Sequence, residues 1–222
     1  MKGNPQPVPA YPDLPIADIL RDARLGDLKA LAEEPFDYAA LPAAVEALFD
    51  LLEERKTPYL LVGGLAVLHY VGGRNTRDID LLIPERAFDQ LPELVVTERN
   101  ADFARATFRG VVVDALFTRN RLFEMVRKHH ADSLHFGKRT IPCATVEGLL
   151  IMKLYALPSL YRQGRMDRVR VYWFDIGQLL DAYQPDIEQI LAQLTRHVLP
   201  TDLVEIRRIL DEIRAETKHF RE

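Results

Sequence analysis

A single cysteine, Cys143, stands among 222 residues. That count excludes an intrachain disulfide and fits a reducing cytoplasmic setting, with Cys143 in its apolar Ile-Pro-Cys-Ala context read as a packing residue. No apolar run approaches the length needed to span a bilayer, so no membrane partner is expected, and the N-terminal residues lack the pattern of a secretory signal. No internal repeat is visible, which excludes solenoid architectures. Positive charge is not in excess either: the formal net charge of −4 argues against a uniformly basic nucleic-acid binder, though not against a local basic groove. What remains is an ordinary globular composition, 48% hydrophobic and 28% charged, in a chain long enough for a sizeable core.

The most informative stretch runs from Tyr59 to Pro84, YLLVGGLAVLHYVGGRNTRDIDLLIP. Tyr59–Val62 is a short apolar run that reads as a buried strand, ended by Gly63-Gly64. Leu65–Tyr70 reads as a short helix, broken by Gly72-Gly73. Asp78–Ile83 reads as a second strand, and alternation along it puts Asp78 and Asp80 on one face. Two carboxylates so placed repel each other and resist desolvation. A divalent cation is the usual reason for such a pair, and oxygen ligands favour Mg²⁺ or Mn²⁺. The glycine pair offers bare backbone N–H groups at a helix start, which suits a phosphate. Together these features point to phosphoryl or nucleotidyl transfer.

Gly63-Gly64, a spacer and then Arg74-Asn75-Thr76-Arg77-Asp78-Ile79-Asp80 resemble the signature of the DNA polymerase β-type nucleotidyltransferase superfamily. The Arg-x-Thr-x-Asp-x-Asp wording is similar to its bacterial AbiEii/AbiGii toxin-like, MenT-like branch. The resemblance covers roughly residues 41 to 182. It implies an α/β fold: a nucleotidyltransferase-like mixed-sheet core with helices, followed by an α-helical C-terminal part. It implies Mg²⁺- or Mn²⁺-dependent transfer of a nucleoside monophosphate from an NTP. It also implies a third carboxylate on a strand beside the Asp-x-Asp strand. Asp114, alone among apolar residues in Val111–Phe117, matches that place; a lone aspartate there needs a partner or a metal. On this reading Asp78, Asp80 and Asp114 form the metal and catalytic cluster, with Asp114 helping to activate the attacking hydroxyl. Gly63, Gly64, Arg74 and Thr76 lie on the nucleotide side. Lys153, after Ile141–Leu149, matches the branch's lysine and joins the catalytic set. Asp175 matches the aspartate that closes the block and joins the nucleotide side by positioning Lys153 or a neighbouring arginine, with Asp167 competing for that assignment. Many members carry serine after the first glycine; Gly64 departs from this and leaves the triphosphate grip to backbone.

The chain divides into a proline-rich segment, 1–15, a nucleotidyltransferase core with its preceding helices, 16–142, and a helical part, 143–222. Helices are expected over Ile16–Ala32, Asp37–Arg55, Glu85–Leu91, Arg119–His130, Thr145–Leu157, from Asp175 onward, Asp186–Leu199 and Thr201–Thr217. Strands are expected over Leu94–Glu98, Ala104–Phe108, Val111–Phe117, Ser133–Phe136 and Arg139–Pro142, with Gly110 and Gly137 in turns. Tyr161–Met166 reads as a loop. Between Arg119 and Arg139 six basic residues face two acids, a segment that fits either a phosphate backbone or a solvated helix face. His129-His130 diverge on a helix and read as surface residues, and His69 as a core histidine. The favoured acceptor is RNA or tRNA, as for a toxin with an antitoxin protein as partner. A small-molecule, antibiotic-type acceptor and a non-catalytic nucleotide-binding role are the alternatives.

Overall fold

The structure is a computed structural model that describes residues 41–72, 76, 78–136 and 139–219. The proline-rich segment, the expected first helix, Arg74 and Gly137 lie outside the described residues. The chain order is α1 (Leu41–Glu54), β1 (Leu60–Val62), α2 (Gly63–Tyr70), β2 (Asp78–Ile83), α3 (Glu85–Phe88), β3 (Val95–Arg99), β4 (Phe103–Phe108) and β5 (Val111–Phe117). It continues with α4 (Arg121–His129), β6 (Ala131–Phe136), β7 (Arg139–Ala144), α5 (Val146–Arg162), α6 (Met166–Tyr183), α7 (Ile187–Leu194) and α8 (Pro200–His219). The α/β class expected from the sequence, a mixed sheet followed by C-terminal helices, is what the chain adopts.

The seven strands form one sheet in the order β3-β4-β5-β2-β1-β7-β6. Two of its pairings are parallel, β2 with β5 and β1 with β7; the others are antiparallel. The alternation of β2 and β5 decides what faces where. Ile79, Leu81 and Ile83, with Val111, Val113, Ala115 and Phe117, are buried in the core. Asp78, Asp80, Val112 and Asp114 project from the other face. The β4–β5 hairpin is closed by Arg109 and Gly110, both at positive φ (47° and 83°), the left-handed pair that matches the twist of two-residue hairpins. The α1 stripe of Val45, Leu48 and Leu52 is fully buried, as its spacing requires.

The helical part differs from expectation at two places. Residues 161–166 are not an extended loop: α5 runs to Arg162 and α6 begins at Met166, with Gly164 in the turn at φ 67°. Asp175 therefore sits in the middle of α6 rather than opening a helix. The run Arg165 to Arg170 hides this start because its charges lie on solvent-facing positions and only Val169 among them is buried. Thr145 caps α5 as expected, its hydroxyl accepting from the Gly148 amide. Strand β7 carries on through Pro142 to Ala144 and pairs with β1 at Cys143, so the helical part starts at Val146.

Candidate active site

Parallel pairing of β2 and β5 puts Asp80 directly beside Asp114, and β1 brings Val62 to the other flank of Asp80. Strand β1 then turns into α2 through Gly63. Gly63 has φ 68°, and a Cβ built on it would lie 1.8 Å from Asp80 Oδ2. Only glycine satisfies both the backbone conformation and the contact. The next amide, Gly64 N–H, donates to Asp80 Oδ2 at 3.3 Å. The helix thus starts at Gly63, two residues earlier than its sequence suggests, with the Gly64 amide turned toward a carboxylate.

Electrostatics at this point are strained. Burial raises the Asp80 pKa most, and the neighbouring charges of Asp78 and Asp114 raise it further. The Gly64 amide and Lys153 pull the other way, and the carboxyl ends pushed up to about 7. Thr76, itself buried, donates its hydroxyl to the Asp78 carbonyl at 3.3 Å and lies 3.5 Å from Asp78 Oδ1. It therefore holds Asp78 from within the chain. Asp114 is 5% exposed, and Arg105 of β4 grips both its oxygens: Nε donates to Oδ1 at 2.7 Å and Nη2 to Oδ2 at 2.6 Å.

Asp80 opens into a cavity of about 670 Å³ between the sheet and the C-terminal helices. It is lined by Val62 and Gly63 from the sheet side, Lys153 and Tyr155 of α5, Tyr172 of α6, and Arg196 and His197 of the segment after α7. Lys153 is almost wholly buried. Its Nζ donates to Asp175 Oδ2 at 2.6 Å and stands 4.5 Å from the centroid of the Tyr172 ring. Asp175, 1% exposed, sits behind Lys153 and does not line the cavity. The structure thus brings Gly63, Gly64, Asp78, Asp80, Asp114 and Lys153 to one side of the sheet, with Asp175 as the support of Lys153.

The donor set suits a hard divalent cation in part. Asp78 and Asp80 offer oxygen ligands, and a cation between them would relieve the repulsion that raises Asp80. No three acidic, histidine or cysteine side chains already converge as a closed metal site among the described residues. Waters, or oxygens from a substrate, would complete the shell.

Arg105 was not singled out from the sequence, nor were the cavity residues Tyr172, Arg196, His197 and Asp202. A signal existed for Arg105: with a two-residue turn at Arg109-Gly110, Phe108 pairs with Val111, and counting back pairs Arg105 with Asp114. The basic segment around α4 is largely neutralised. Arg127 and Lys128 both pair with Glu124, Arg119 lies 3.8 Å from Asp102, and Arg139 pairs with Asp50. The Glu124 carboxyl is driven down to about 2, chiefly by its hydrogen bond from Arg127. His130 bonds Gln193 at 2.7 Å, and His69 is half-buried and held below the usual histidine range by burial.

No family model matches the chain, and no curated protein matches it in sequence. Among solved structures, the chain is similar to the crystal structure of an antigenic nucleotidyltransferase-like protein from Paracoccidioides brasiliensis. That match has 16% identity and a TM-score of 0.48, and covers 79% of this chain and 95% of that one. It is also similar to the antibiotic-resistance factor ANT(2'')-Ia. The solution structure of that factor aligns at 15% identity, over 84% of this chain and 98% of that one, with a TM-score of 0.43. The crystal structure of ANT(2'')-Ia in complex with adenylyl-2''-tobramycin aligns at 12% identity, over 75% and 96%, with a TM-score of 0.46. No helix among the described residues is long and apolar enough to cross a membrane.

Proposed function

We propose that this protein is a nucleotidyltransferase, moving an NMP from an NTP to an acceptor hydroxyl with release of pyrophosphate. One observation carries the reading. Asp80 lies in register between Val62, just before the Gly63 turn, and Asp114, and it shares with Lys153 the lining of one cavity. The acceptor oxygen attacks the α-phosphorus, the bond from that phosphorus to the bridging α–β oxygen breaks, and pyrophosphate leaves. Asp78 and Asp80 would hold a divalent cation, Mg²⁺ or Mn²⁺, which would supply Lewis-acid polarisation of the α-phosphate and offset charge on the leaving group. The bare Gly63 lets the Asp80 carboxylate pack against the turn, and as a wall of the same cavity it leaves contact with the triphosphate there to backbone. Lys153, oriented by Asp175, supplies a fixed positive charge for the departing pyrophosphate. Asp114 is the carboxylate placed to take the acceptor proton, once its oxygens are released.

The acceptor class follows the charge of the cavity. Its two carboxylates are Asp80 and Asp202, and Asp202 is held by Arg162 at 2.6 Å. Lys153 and Arg196 complete a lining that favours a neutral or anionic acceptor over a polycation. An RNA end fits that charge, although the neutralised α4 segment gives it no extended track. Incubation with Mg²⁺, each NTP and a panel of RNA and small hydroxyl compounds tests the proposal by pyrophosphate release. Release that disappears in Asp80→Asn supports it; release unaffected by Asp80→Asn contradicts it.

A further inference from the structure

Asp114 is poised beside Asp80, yet both its oxygens are already engaged by one guanidinium. The fork–fork pair is strong and directional, and it joins adjacent strands at a register fixed by the β4–β5 hairpin. The guanidinium is also close enough to Asp78 for that carboxylate to stabilise its charge. The two partners differ in freedom: Asp114 is buried, whereas Arg105 is 34% exposed and lies one strand from the sheet edge, its guanidinium 5.8 Å from the Phe103 ring centroid. A divalent cation sharing the Asp114 oxygens would stand within a few ångströms of this guanidinium, and like charges at that spacing repel strongly.

We infer that Arg105 is the resident counter-cation of the third carboxylate, competing with a divalent cation for Asp114 and swinging out when substrate and metal take its place. The inference rests on the reading of Asp78 and Asp80 as metal carboxylates. Arg105 is a positioning residue: it acts through Asp114 and decides when that carboxylate joins the site. Its guanidinium does not titrate in any accessible range, so the exchange is driven by competing charge and not by a proton. Open solvent, which Arg105 already reaches at 34% exposure, offers the released side chain room.

The test is Mn²⁺ affinity without nucleotide, read at pH 8 by the paramagnetic resonance of the free ion. Removing the competing cation in Arg105→Gln should tighten Mn²⁺ binding about tenfold. Arg105→Lys keeps the charge but cannot grip both oxygens, and should tighten binding about threefold; it remains informative where Arg105→Gln fails to fold. Neither change should alter affinity in an Asp114→Asn background, because the effect passes through Asp114. Wild-type binding that is lost in Asp80→Asn but unchanged by Arg105→Gln or Arg105→Lys overturns the role of Arg105 and leaves the metal reading standing. A gain that persists in Asp114→Asn also overturns it. Absence of Mn²⁺ binding from both wild type and folded Arg105 variants sinks this inference and the metal reading together.

Discussion

Gly63 and Asp80 are packed so closely that the smallest possible side chain on Gly63 would overlap the Asp80 carboxylate, with 1.8 Å between Cβ and Oδ2. The backbone of the β1–α2 turn is therefore part of the site's shape and not only its frame. Gly63→Ala must strain a left-handed residue and displace Asp80 at once. We expect a stability loss on the order of 1–3 kcal/mol in urea unfolding, together with loss of transfer. Wild-type stability and turnover in this variant would show that the turn has room the geometry does not reveal.

Asp80 also sets a pH dependence. Its carboxyl titrates near 3.8 when unperturbed and is pushed up to about 7 by burial and by Asp78 and Asp114. Between those values the folded chain keeps a proton that the unfolded chain has lost, so stability falls as pH rises through that window. Asp80→Asn should consequently be more stable than wild type at pH 8, on the order of 2 kcal/mol, and equal to it near pH 4. A divalent cation should narrow the gap at pH 8 by favouring the ionised form. Equal stability of the two proteins at both pH values would contradict the buried, crowded setting of Asp80.

Lys153 and Asp175 form a buried pair, and removal of one partner strands the charge of the other. Asp175→Asn and Lys153→Met should each destabilise by about 3–5 kcal/mol. The double variant Lys153→Met with Asp175→Asn should recover part of that loss without recovering transfer. Kinetics separate scaffold from chemistry: a folded Lys153→Arg protein should show raised nucleotide KM and lowered kcat, because its planar fork cannot replace a point charge in this space. Unchanged kinetic constants in Lys153→Arg would remove Lys153 from the phosphate site.

Arg127 and Lys128 share the one carboxylate of Glu124, so the three together present a single net positive charge. Reversing both to glutamate should leave transfer within about twofold and cost about 1 kcal/mol or less in stability. A large drop in turnover with an RNA acceptor, accompanied by a flattened salt dependence, would instead mark α4 as a nucleic-acid track.

Much of this site could be read from the chain because its signals are local. The bounds of β5 follow from one apolar run, and the shared face of Asp78 and Asp80 follows from alternation. Asp114 needed a partner on general grounds, but whether that partner was a metal or an arginine depended on which strand lay on its far side. The β4–β5 turn contained that answer, through the pairing of Arg105 with Asp114. The pairing of Asp175 with Lys153 was expected from the resemblance, but its geometry was hidden, since it depends on α6 starting at Met166 and folding back along α5. Charged solvent-facing residues masked that start. The position of the cavity was likewise hidden, because it is formed by residues that close from the sheet, α5, α6 and the segment after α7.

The central claim is nucleotidyl transfer, and parallel labelling of one NTP at its α- and γ-phosphates tests it most directly. With Mg²⁺ present, label from the α-position should appear on the acceptor and label from the γ-position only in pyrophosphate, both in wild type and neither in Asp80→Asn. Label from the γ-position on the acceptor, or α-label transfer that survives in Asp80→Asn, would contradict the account.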